Sequence, residues 1–428
     1  MQALFQRFIT DFQEAPPKVA VARDYTIPLD SRKIISLIGV RRCGKTYLLH
    51  GLINQLRASV DPRNLVYLNF EDDRLYPLAL HDLDSLMEGY YALYPDKRNE
   101  KVYLFLDEIQ NIPEWERYVR RVHDTLNVQL FVTGSSSRLL SQEIATSLRG
   151  RTLTYEIFPF SFREYLAYQQ IEVNLNSSRS RSYIQHAFNT YLHQGGFAET
   201  FGETADIQQR TWRDYLDLIV YRDLIERYDI KNTVLLRHLI KYAMSNIGTL
   251  VSLNKLFNEY KSLGHKVSKD TLYQYLGYLE DAYALFSVPI FRNSVREEQH
   301  HPRKIYAVDN GFKTLLQTSL SPDYSKLYEN LVFLHLRRQS REVYYFKQVQ
   351  EVDFYVPENA MRPAQLVNVS VDIRAPGTLE REVKGLLEGM RYTGLDEAVL
   401  VTQEREDVLE VDGKRIRIVP AWLWLQTV

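Results

Sequence analysis

The sequence predicts a mixed α/β fold, and the spacing of apolar residues in the first two hundred positions carries this prediction. Short, nearly continuous apolar runs alternate there with amphipathic segments, as expected for a parallel sheet with helices on both faces. A chain of 428 residues is too long for one compact core, which predicts two to four domains. The predicted strands of the sheet are residues 34–38, 65–69, 102–106, 128–132 and 152–158.

Composition excludes several classes of protein. With 45% hydrophobic and 25% charged residues, the chain is typical of globular proteins rather than disordered ones. The formal net charge of -1 excludes nucleic-acid binding by bulk charge, so such binding requires a local patch. The single Cys43 excludes an internal disulfide and favours a reducing, cytoplasmic setting. No apolar run approaches the roughly 18 residues that cross a bilayer, so no membrane partner is predicted.

A glycine-rich loop follows the first predicted strand directly. Residues 39–46 read G-V-R-R-C-G-K-T, which fits G-x-x-x-x-G-K-[ST], and a helical segment follows at 47–56. Glycines let backbone N–H groups turn towards phosphate oxygens, and the helix N-terminus favours negative charge. Lys45 is expected to reach the β- and γ-phosphates and Thr46 to bind Mg²⁺. The predicted ATP-binding residues are Gly39, Val40, Arg41, Arg42, Cys43, Gly44, Lys45, Thr46 and Tyr47.

Two carboxylates end the third predicted strand. Asp107 and Glu108 follow the apolar run 102–106, which places them at the carboxyl edge of the sheet, where open α/β folds bind ligands. Asp107 is predicted to hold Mg²⁺ through water, and Glu108 to act as the general base on the attacking water. The alternative is a solvated Asp-Glu turn.

Further catalytic candidates lie downstream. Ser135 or Ser136, after the fourth predicted strand, is a candidate sensor of the γ-phosphate, and the alternative is a hydroxyl-rich helix cap. Arg149 or Arg151 is a candidate arginine finger for a neighbouring subunit, and the alternative is a surface salt bridge. Cys43 is interpreted as a small filler within the loop, with a thiol facing the nucleotide as the alternative.

Residues 235–308 predict a winged helix-turn-helix. The stretch 235–289 is helix-rich, Ser268 is placed to cap a helix that runs to about Tyr283, and a β-rich segment follows. Seven Lys or Arg and three acidic residues lie between Lys231 and Glu280. Lys266 and Lys269 flank the start of the helix, where such proteins meet DNA, so double-stranded DNA is a predicted partner. A protein partner is the alternative, because winged helices also mediate protein contacts.

Several motifs together resemble a known family. They are 39–46, Asn69-Phe-Glu-Asp-Asp-Arg74, Leu106-Asp-Glu-Ile-Gln-Asn111, Leu148-Arg-Gly-Arg151, Tyr221-Arg-Asp223, Lys304-Ile-Tyr-Ala-Val-Asp309 and Tyr328-Glu-Asn-Leu-Val-Phe333. The chain resembles prokaryotic AAA-type (AAA+) ATPases whose C-terminal half is a domain of unknown function. The resemblance implies a P-loop ATPase domain at 1–205, a helical linker and winged helix at 206–300, and a restriction-endonuclease-like PD-(D/E)xK core at 301–428.

The endonuclease-like core departs from the family pattern. The resemblance assigns its first two acids to Glu329 and Asp353, which would form a weak second metal site. Asn368 stands where the third acid is expected and Ser370 where the lysine is expected, so cleavage chemistry is predicted to be lost. Lys384, on the following helix, is interpreted as a solvated lysine rather than a migrated catalytic one.

Three functions follow from these patterns. The first is an Mg²⁺-dependent ATPase whose nucleotide state repositions the C-terminal modules, alone or within a homo-oligomer. The second is a nucleotide-gated module that binds DNA or protein, with incidental turnover. The third is an ATP-dependent nuclease. The sequence leaves the physiological target open.

Overall fold

The structure is a computed structural model that describes residues 1–135, 148, 150–262, 264, 267–292, 294, 297–298, 301–316 and 324–427. The chain divides into two compact units, Met1–Phe158 and Pro159–Val428. Residues 159–205, which the sequence groups with the ATPase domain, lie in the second unit. The division into three domains stays a prediction. Within the described part of the chain, no helix has the length and apolar character needed to span a bilayer.

The first unit is built on a five-stranded sheet in the order β2-β3-β4-β1-β5. All four neighbouring pairs in this sheet are parallel. From β1 the chain runs to β2 at one edge of the sheet and returns through β3 to β4, which lies next to β1. The following strand, β5, lies on the other side of β1, so the strand order reverses beside β1. The strands are β1 (Ile34–Ile38), β2 (Leu65–Asn69), β3 (Val102–Asp107), β4 (Val128–Gly134) and β5 (Thr152–Glu156).

Burial explains why these segments are strands. Every residue of β1 and β3 is buried, as expected where both faces of a parallel sheet are covered. The rings of Phe105 and Phe131 stack at 4.5 Å between neighbouring strands. All five predicted strands are present, but β5 ends at Glu156 rather than at residue 158 and is only partly buried. The helices of this unit are α1 (Gln2–Glu14), α2 (Lys45–Arg57), α3 (Asp84–Leu93) and α4 (Trp115–Thr125).

The second unit combines helices with two sheets. The residue bounds of its helices, several of them short, are α5 (Phe162–Tyr168), α6 (Ser178–Gln194), α7 (Ala205–Leu218), α8 (Thr233–Ser245), α9 (Leu253–Ser262), α10 (Lys269–Asp281), α11 (Asn310–Leu316), α12 (Tyr324–Gln339), α13 (Thr378–Thr393) and α14 (Ala421–Trp424). A π-helical segment, Ile219–Glu226, continues α7. Ser268 caps α10 as predicted, because its side chain accepts a hydrogen bond from the Thr271 amide.

The smaller sheet of this unit has the order β6-β8-β7 and is antiparallel throughout. Its strands are β6 (Leu250–Val251), β7 (Leu285–Val288) and β8 (Arg303–Ala307). The larger sheet has the order β13-β14-β12-β11-β10-β9, with β11, β12 and β14 parallel to one another. Its strands are β9 (Tyr344–Lys347), β10 (Glu351–Val356), β11 (Gln365–Val369), β12 (Glu397–Thr402), β13 (Asp407–Val411) and β14 (Lys414–Pro420).

Candidate functional site

The glycine loop joins the end of β1 to the start of α2. Gly39 has a φ of 153°, and a Cβ at this position would lie 2.1 Å from the carbonyl oxygen of Ile157, so only glycine fits. Gly44, with a φ of 95°, directly precedes the first residue of α2. The loop therefore leads into a helix N-terminus, the geometry that binds phosphate groups.

Lys45 is buried inside this loop. Its Nζ donates to the carbonyl oxygens of Gly39 and Val40 at 3.2 Å each. The same atom lies 3.6 Å from Glu108 Oε1. The Lys45 ammonium is therefore hydrogen-bonded to two neutral carbonyl oxygens, whereas the Glu108 carboxylate lies beyond hydrogen-bonding distance. The side chain is thus held by neutral acceptors that an anionic ligand can replace.

Asp107 is fully buried at the end of β3, where three hydroxyl groups donate to its carboxylate. Thr46 Oγ1 and Tyr67 OH each lie 2.8 Å from Oδ2, and Thr133 Oγ1 bonds to Oδ1. Burial raises the pKa of Asp107. The three hydroxyl donors oppose this rise, and the nearby charge of Glu108 adds to it. One hydrogen bond therefore joins Thr46, on the first turn of α2, to Asp107 at the end of β3.

Glu108 follows Asp107 in a left-handed backbone conformation, with a φ of 52°. Its amide donates to Thr133 Oγ1 at 2.8 Å, and the side-chain amide of Gln110 donates to its carboxylate. A non-glycine residue with positive φ is uncommon and clusters at functional sites. The Glu108 side chain is buried and its Oε1 lies 3.6 Å from Lys45 Nζ, which favours the predicted site over a solvated Asp-Glu turn.

Three residues of this site were missed by the sequence patterns. Thr133, at the end of β4, is fully buried and contacts both acids, and its position two residues before Ser135 was the available signal. Tyr67, on β2, reaches Asp107, and burial together with that carboxylate raises its pKa, so its hydroxyl remains a donor. Arg23 donates to the carbonyl oxygens of Cys43 at 3.0 Å and Phe158 at 2.7 Å, which holds the back of the loop.

The remaining predicted site residues are placed as follows. Ser135 is buried one residue beyond β4, whereas Ser136 and Arg149 lie outside the described residues. Arg151 forms a bidentate pair with Asp124, at 2.9 and 3.1 Å, which is the surface salt bridge weighed as the alternative to a finger. Tyr47 is exposed on the first turn of α2.

Cys43 occupies the interior of the loop. Its side chain is buried, and its Sγ lies 3.3 Å from where a Cβ on Gly39 would be. Burial raises the pKa of the Cys43 thiol, against the opposing effect of Lys45 and Arg23, which disfavours the reactive thiolate form. These features agree with its interpretation as a filler.

A second cluster of charged residues surrounds Lys304 in the second unit. The predicted acids Glu329 and Asp353 lie near one another, and Lys304 Nζ contacts both carboxylates, at 3.2 and 2.7 Å. Asn368 Oδ1 accepts a hydrogen bond from the Asp353 amide at 2.9 Å. Lys384 is exposed on α13. Lys304 was not identified from the sequence as part of this site.

The predicted DNA-contacting helix is α10. Its first residue, Lys269, is exposed and lies over the ring of Phe257 at 5.4 Å, and Tyr273 is exposed on the next turn. Lys266 lies outside the described residues. Two other cations of this basic segment are paired within the chain, Lys231 with Asp229 and Arg237 with Asp217. Part of the net positive charge is therefore already neutralised locally.

Fold and site together define the class of the first unit. A parallel sheet, a glycine loop that leads from β1 into a helix, and an acid on β3 bonded to that helix make it a P-loop NTPase. Residues 31–166 match the family model of the AAA domain. Residues 185–322 match the model of a domain of unknown function, DUF8612.

The chain belongs to the family of the uncharacterized protein MJ1544 of Methanocaldococcus jannaschii. The two sequences are 34% identical over 439 residues, which cover 99% of this chain and 95% of MJ1544. An uncharacterized protein of Haemophilus influenzae is 28% identical over 397 residues, covering 92% of this chain and 94% of that protein.

Solved structures show a more distant similarity. The Aeropyrum pernix ORC1 protein in complex with DNA has 13% sequence identity, covers 66% of this chain and 86% of its own, and has a TM-score of 0.28. AMPPCP-bound DnaA from Aquifex aeolicus has 13% identity, covers 58% of this chain and 82% of its own, and has a TM-score of 0.24. TM-scores this low do not establish a common overall fold.

Proposed function

We propose that this protein binds ATP with Mg²⁺ at the loop 39–47 and hydrolyses it. The observation that carries the proposal is the 2.8 Å hydrogen bond between Thr46 Oγ1 and Asp107 Oδ2. This bond brings a hydroxyl of the phosphate loop and a strand-end carboxylate to one point, and these are the oxygen ligands that Mg²⁺ uses in nucleotide sites. Mg²⁺ bound there would neutralise charge on the phosphates and on the buried Asp107.

Each residue of the site has a defined task in this reaction. A triphosphate would take the Lys45 ammonium from the two loop carbonyl oxygens, because phosphate oxygens are charged acceptors. Glu108 would accept the proton of the attacking water as general base. Thr133 would hold Asp107 and the Glu108 backbone in register with each other. Ser135 as γ-phosphate sensor, and Arg149 or Arg151 as a finger for a neighbouring subunit, remain further parts of the proposal.

Substitutions at Lys45 and Glu108 test the proposal. Lys45→Ala should weaken binding of a fluorescent ATP analogue by roughly 100-fold, or about 3 kcal/mol, as expected when a buried charge contact is lost. Glu108→Gln should keep that affinity but lower the rate of phosphate release by about 100-fold or more, the usual contribution of a general base. Binding is measured by fluorescence anisotropy and turnover by released phosphate.

Lys18→Ala serves as the control for both substitutions. Lys18→Ala removes an exposed lysine outside the loop and should change neither quantity. Full turnover by Glu108→Gln would remove Glu108 as the base. Failure of the wild type to bind ATP with Mg²⁺ at any ionic strength would reject the proposed function itself.

A nucleotide-gated binding module is the second candidate function. The three helices α8, α9 and α10, followed by the antiparallel strands β7 and β8, support a winged helix, and exposed Lys269 at the start of α10 supports contact with double-stranded DNA. In this proposal the ATPase domain at 1–205 controls the winged helix at 206–300 and the endonuclease-like domain at 301–428. A homo-oligomer or a protein partner is part of the same proposal.

A nuclease is the least supported of the three functions. The order of α12, β10 and β11, which carry Glu329, Asp353 and Asn368, supports a PD-(D/E)xK-like core. Such an enzyme needs metal-binding carboxylates and a lysine beside the attacking water. Asn368 brings no charge and Ser370 brings no cation, so we propose that this core does not cleave DNA.

A further inference from the structure

A charged cluster of the second unit surrounds one buried lysine, Lys304. Lys304 lies on β8 and is 2% exposed. Its Nζ lies 3.2 Å from Glu329 Oε1 on α12, 2.9 Å from Glu351 Oε1 and 2.7 Å from Asp353 Oδ1, both on β10. We call these four residues the lysine-centred cluster. Three carboxylates from two elements thus converge on one cation that the chain itself supplies.

The carboxylate oxygens of Glu329 and Asp353 already accept hydrogen bonds from other groups of the chain. Besides the ammonium, Glu329 Oε1 accepts from Tyr306 OH, and its Oε2 accepts from Lys326 Nζ, both at 2.7 Å. Asp353 Oδ2 accepts from the Val369 amide at 2.9 Å. Each of the four oxygen atoms therefore has a donor from the chain. Among the residues that the structure describes, no group of three or more His, Cys, Asp or Glu side chains is arranged to hold a metal ion.

Both polar atoms of the Asn368 side chain also have hydrogen-bond partners in the chain. Its Oδ1 accepts from the Asp353 amide and its Nδ2 donates to Glu382 Oε2. A carboxylate here would place a negative charge against Glu382, whereas the amide satisfies both neighbours. The residue that replaces the expected third acid thus stabilises the cluster as it stands.

The charges of the cluster balance without a metal ion. Lys326 pairs with Glu329 at 2.7 Å, and Lys347 pairs with Glu351 at 3.1 Å. The positive charges of Lys304, Lys326 and Lys347 thus balance the negative charges of three carboxylates. Burial disfavours the ammonium of Lys304, but attraction to Asp353 and Glu329 outweighs it and raises its pKa well above the ordinary value. A divalent ion added to this cluster would leave a buried excess of positive charge, which is costly.

We propose that the Lys304 ammonium permanently occupies the cation position of this cluster, in place of a divalent metal ion. The lysine holds the three carboxylates in place, and its contacts join β8 to β10 and α12. The metal site that the nuclease-like core implies is therefore filled by the chain itself. Removal of the ammonium would expose a cation site of hard oxygen ligands that suits Mn²⁺ or Mg²⁺.

The first measurement asks whether the wild-type chain takes up Mn²⁺ at this cluster. Nucleotide-free full-length wild type and Asp353→Asn are titrated with Mn²⁺, and the free ion is followed by EPR. Equal uptake by the two proteins is expected, because Asp353 is already engaged by Lys304. Mn²⁺ uptake by the wild type that Asp353→Asn lacks would overturn the proposal.

The second measurement removes the ammonium. Lys304→Met keeps a side chain of similar length and should have a lower Tm in EDTA, because three carboxylates then face one another. It should bind an additional Mn²⁺ per chain, and Mn²⁺ should restore much of the lost Tm. Lys326→Met is the matched control, since it takes one lysine from Glu329 but leaves the central ammonium in place, and it should bind no additional ion.

Each possible result for Lys304→Met either supports or contradicts the proposal, or leaves the decision to the first measurement. A folded Lys304→Met protein that takes up no more Mn²⁺ than the wild type would contradict the proposal, whereas one that folds only with Mn²⁺ would support it. If this variant folds under neither condition, the comparison of wild type with Asp353→Asn decides. The nucleotide site does not affect the result, because both readouts are differences between proteins with the same loop.

Discussion

At the residue scale, the geometry of the nucleotide site depends on one hydroxyl. Thr133 Oγ1 donates to Asp107 and accepts from the Glu108 amide, so a single atom holds two consecutive acids in different orientations. Glu108 needs such a restraint because its backbone is left-handed, which costs on the order of 1 kcal/mol or more for a non-glycine residue. Thr133 is therefore a positioning residue for both acids.

Thr133→Val tests this role. The substitution keeps the shape of the side chain but removes the donor to a buried carboxylate and the acceptor of a buried amide, at a cost of about 1–3 kcal/mol. We expect kcat for ATP hydrolysis to fall by roughly tenfold or more, since 1.4 kcal/mol corresponds to a factor of ten. KM for ATP should change much less, because in the proposed site Lys45 and the loop amides, not Thr133, would bind the phosphates. Both constants come from steady-state phosphate release.

The conservative variant separates positioning from general stability. Thr133→Ser keeps the hydroxyl and should retain most of the wild-type kcat, even if loss of the methyl group lowers the Tm. A loss of kcat in Thr133→Ser as large as that in Thr133→Val would contradict the assigned role of the hydroxyl.

At the scale of elements, a buried carboxyl group joins the end of α6 to the start of α11. Asp309 Oδ2 accepts from the Gly196 amide at 2.6 Å and Oδ1 accepts from the Gly311 amide at 2.8 Å. A Cβ at Gly195 would lie 1.9 Å from Oδ1, so this approach requires a glycine. Burial raises the pKa of Asp309 to about 7, against the opposing effect of these two amides and of the Arg338 guanidinium.

The raised pKa of Asp309 predicts a pH dependence of stability. Since the folded pKa exceeds the unfolded one, its contribution to stability is fully present below about pH 4 and is lost as pH rises towards 7. Asp309→Asn cannot ionise, so the free energy of unfolding of the variant relative to the wild type should increase with pH. The slope between these values should be about 1.4 kcal/mol per pH unit, the value for one bound proton. Urea unfolding at several pH values measures it.

Only the difference between the two proteins is informative in this experiment. His335 is buried, and burial lowers its pKa to about 3, so its own contribution to stability is lost as the pH falls. That contribution is common to the wild type and the variant and cancels in the comparison. A difference in unfolding free energy that stays constant from pH 4 to pH 8 would show that Asp309 does not titrate in this range.

At the scale of the whole molecule, the proposed switch requires the bound nucleotide to change the affinity of the winged helix or the endonuclease-like domain for a partner. If ATP acts as a switch, it must bind two conformations of the chain with different affinity. We therefore expect the affinity for labelled double-stranded DNA to differ between ATP, ADP and no nucleotide, and DNA to change the ATPase rate. Fluorescence anisotropy at fixed salt gives the affinities, since charge-driven binding falls steeply with ionic strength.

Lys45→Ala serves as the control for this switch. At nucleotide concentrations that saturate the wild type but not the variant, Lys45→Ala should bind DNA with one affinity under all three conditions. Light scattering in ATP and ADP reports oligomer formation in the same samples. Identical DNA affinity of the wild type in all three states, with an unchanged ATPase rate, would exclude DNA as the gated ligand and leave a protein partner as the alternative.

The sequence by itself determined the parts of this protein that depend on neighbouring residues. The apolar runs predicted β1 and β3 most directly, since a strand buried on both faces must be apolar throughout. The fifth strand was also predicted, although it is only partly buried. The loop 39–46 and Asp107 were predicted because the chemistry of phosphate binding demands fixed residue types at fixed spacing. Ser268 was predicted as a cap because that interaction spans three residues.

Only the tertiary structure decided which distant residues complete each site. Tyr67 and Thr133 reach Asp107 through the order and register of parallel strands, and no local pattern distinguishes them from ordinary strand residues. Lys304 is the strongest case, because a lysine in a strand sequence is normally solvated, and here it meets acids that lie 25 to 49 positions further along the chain. Burial of a charge is a property of packing, and packing is set by the whole fold rather than by adjacent residues.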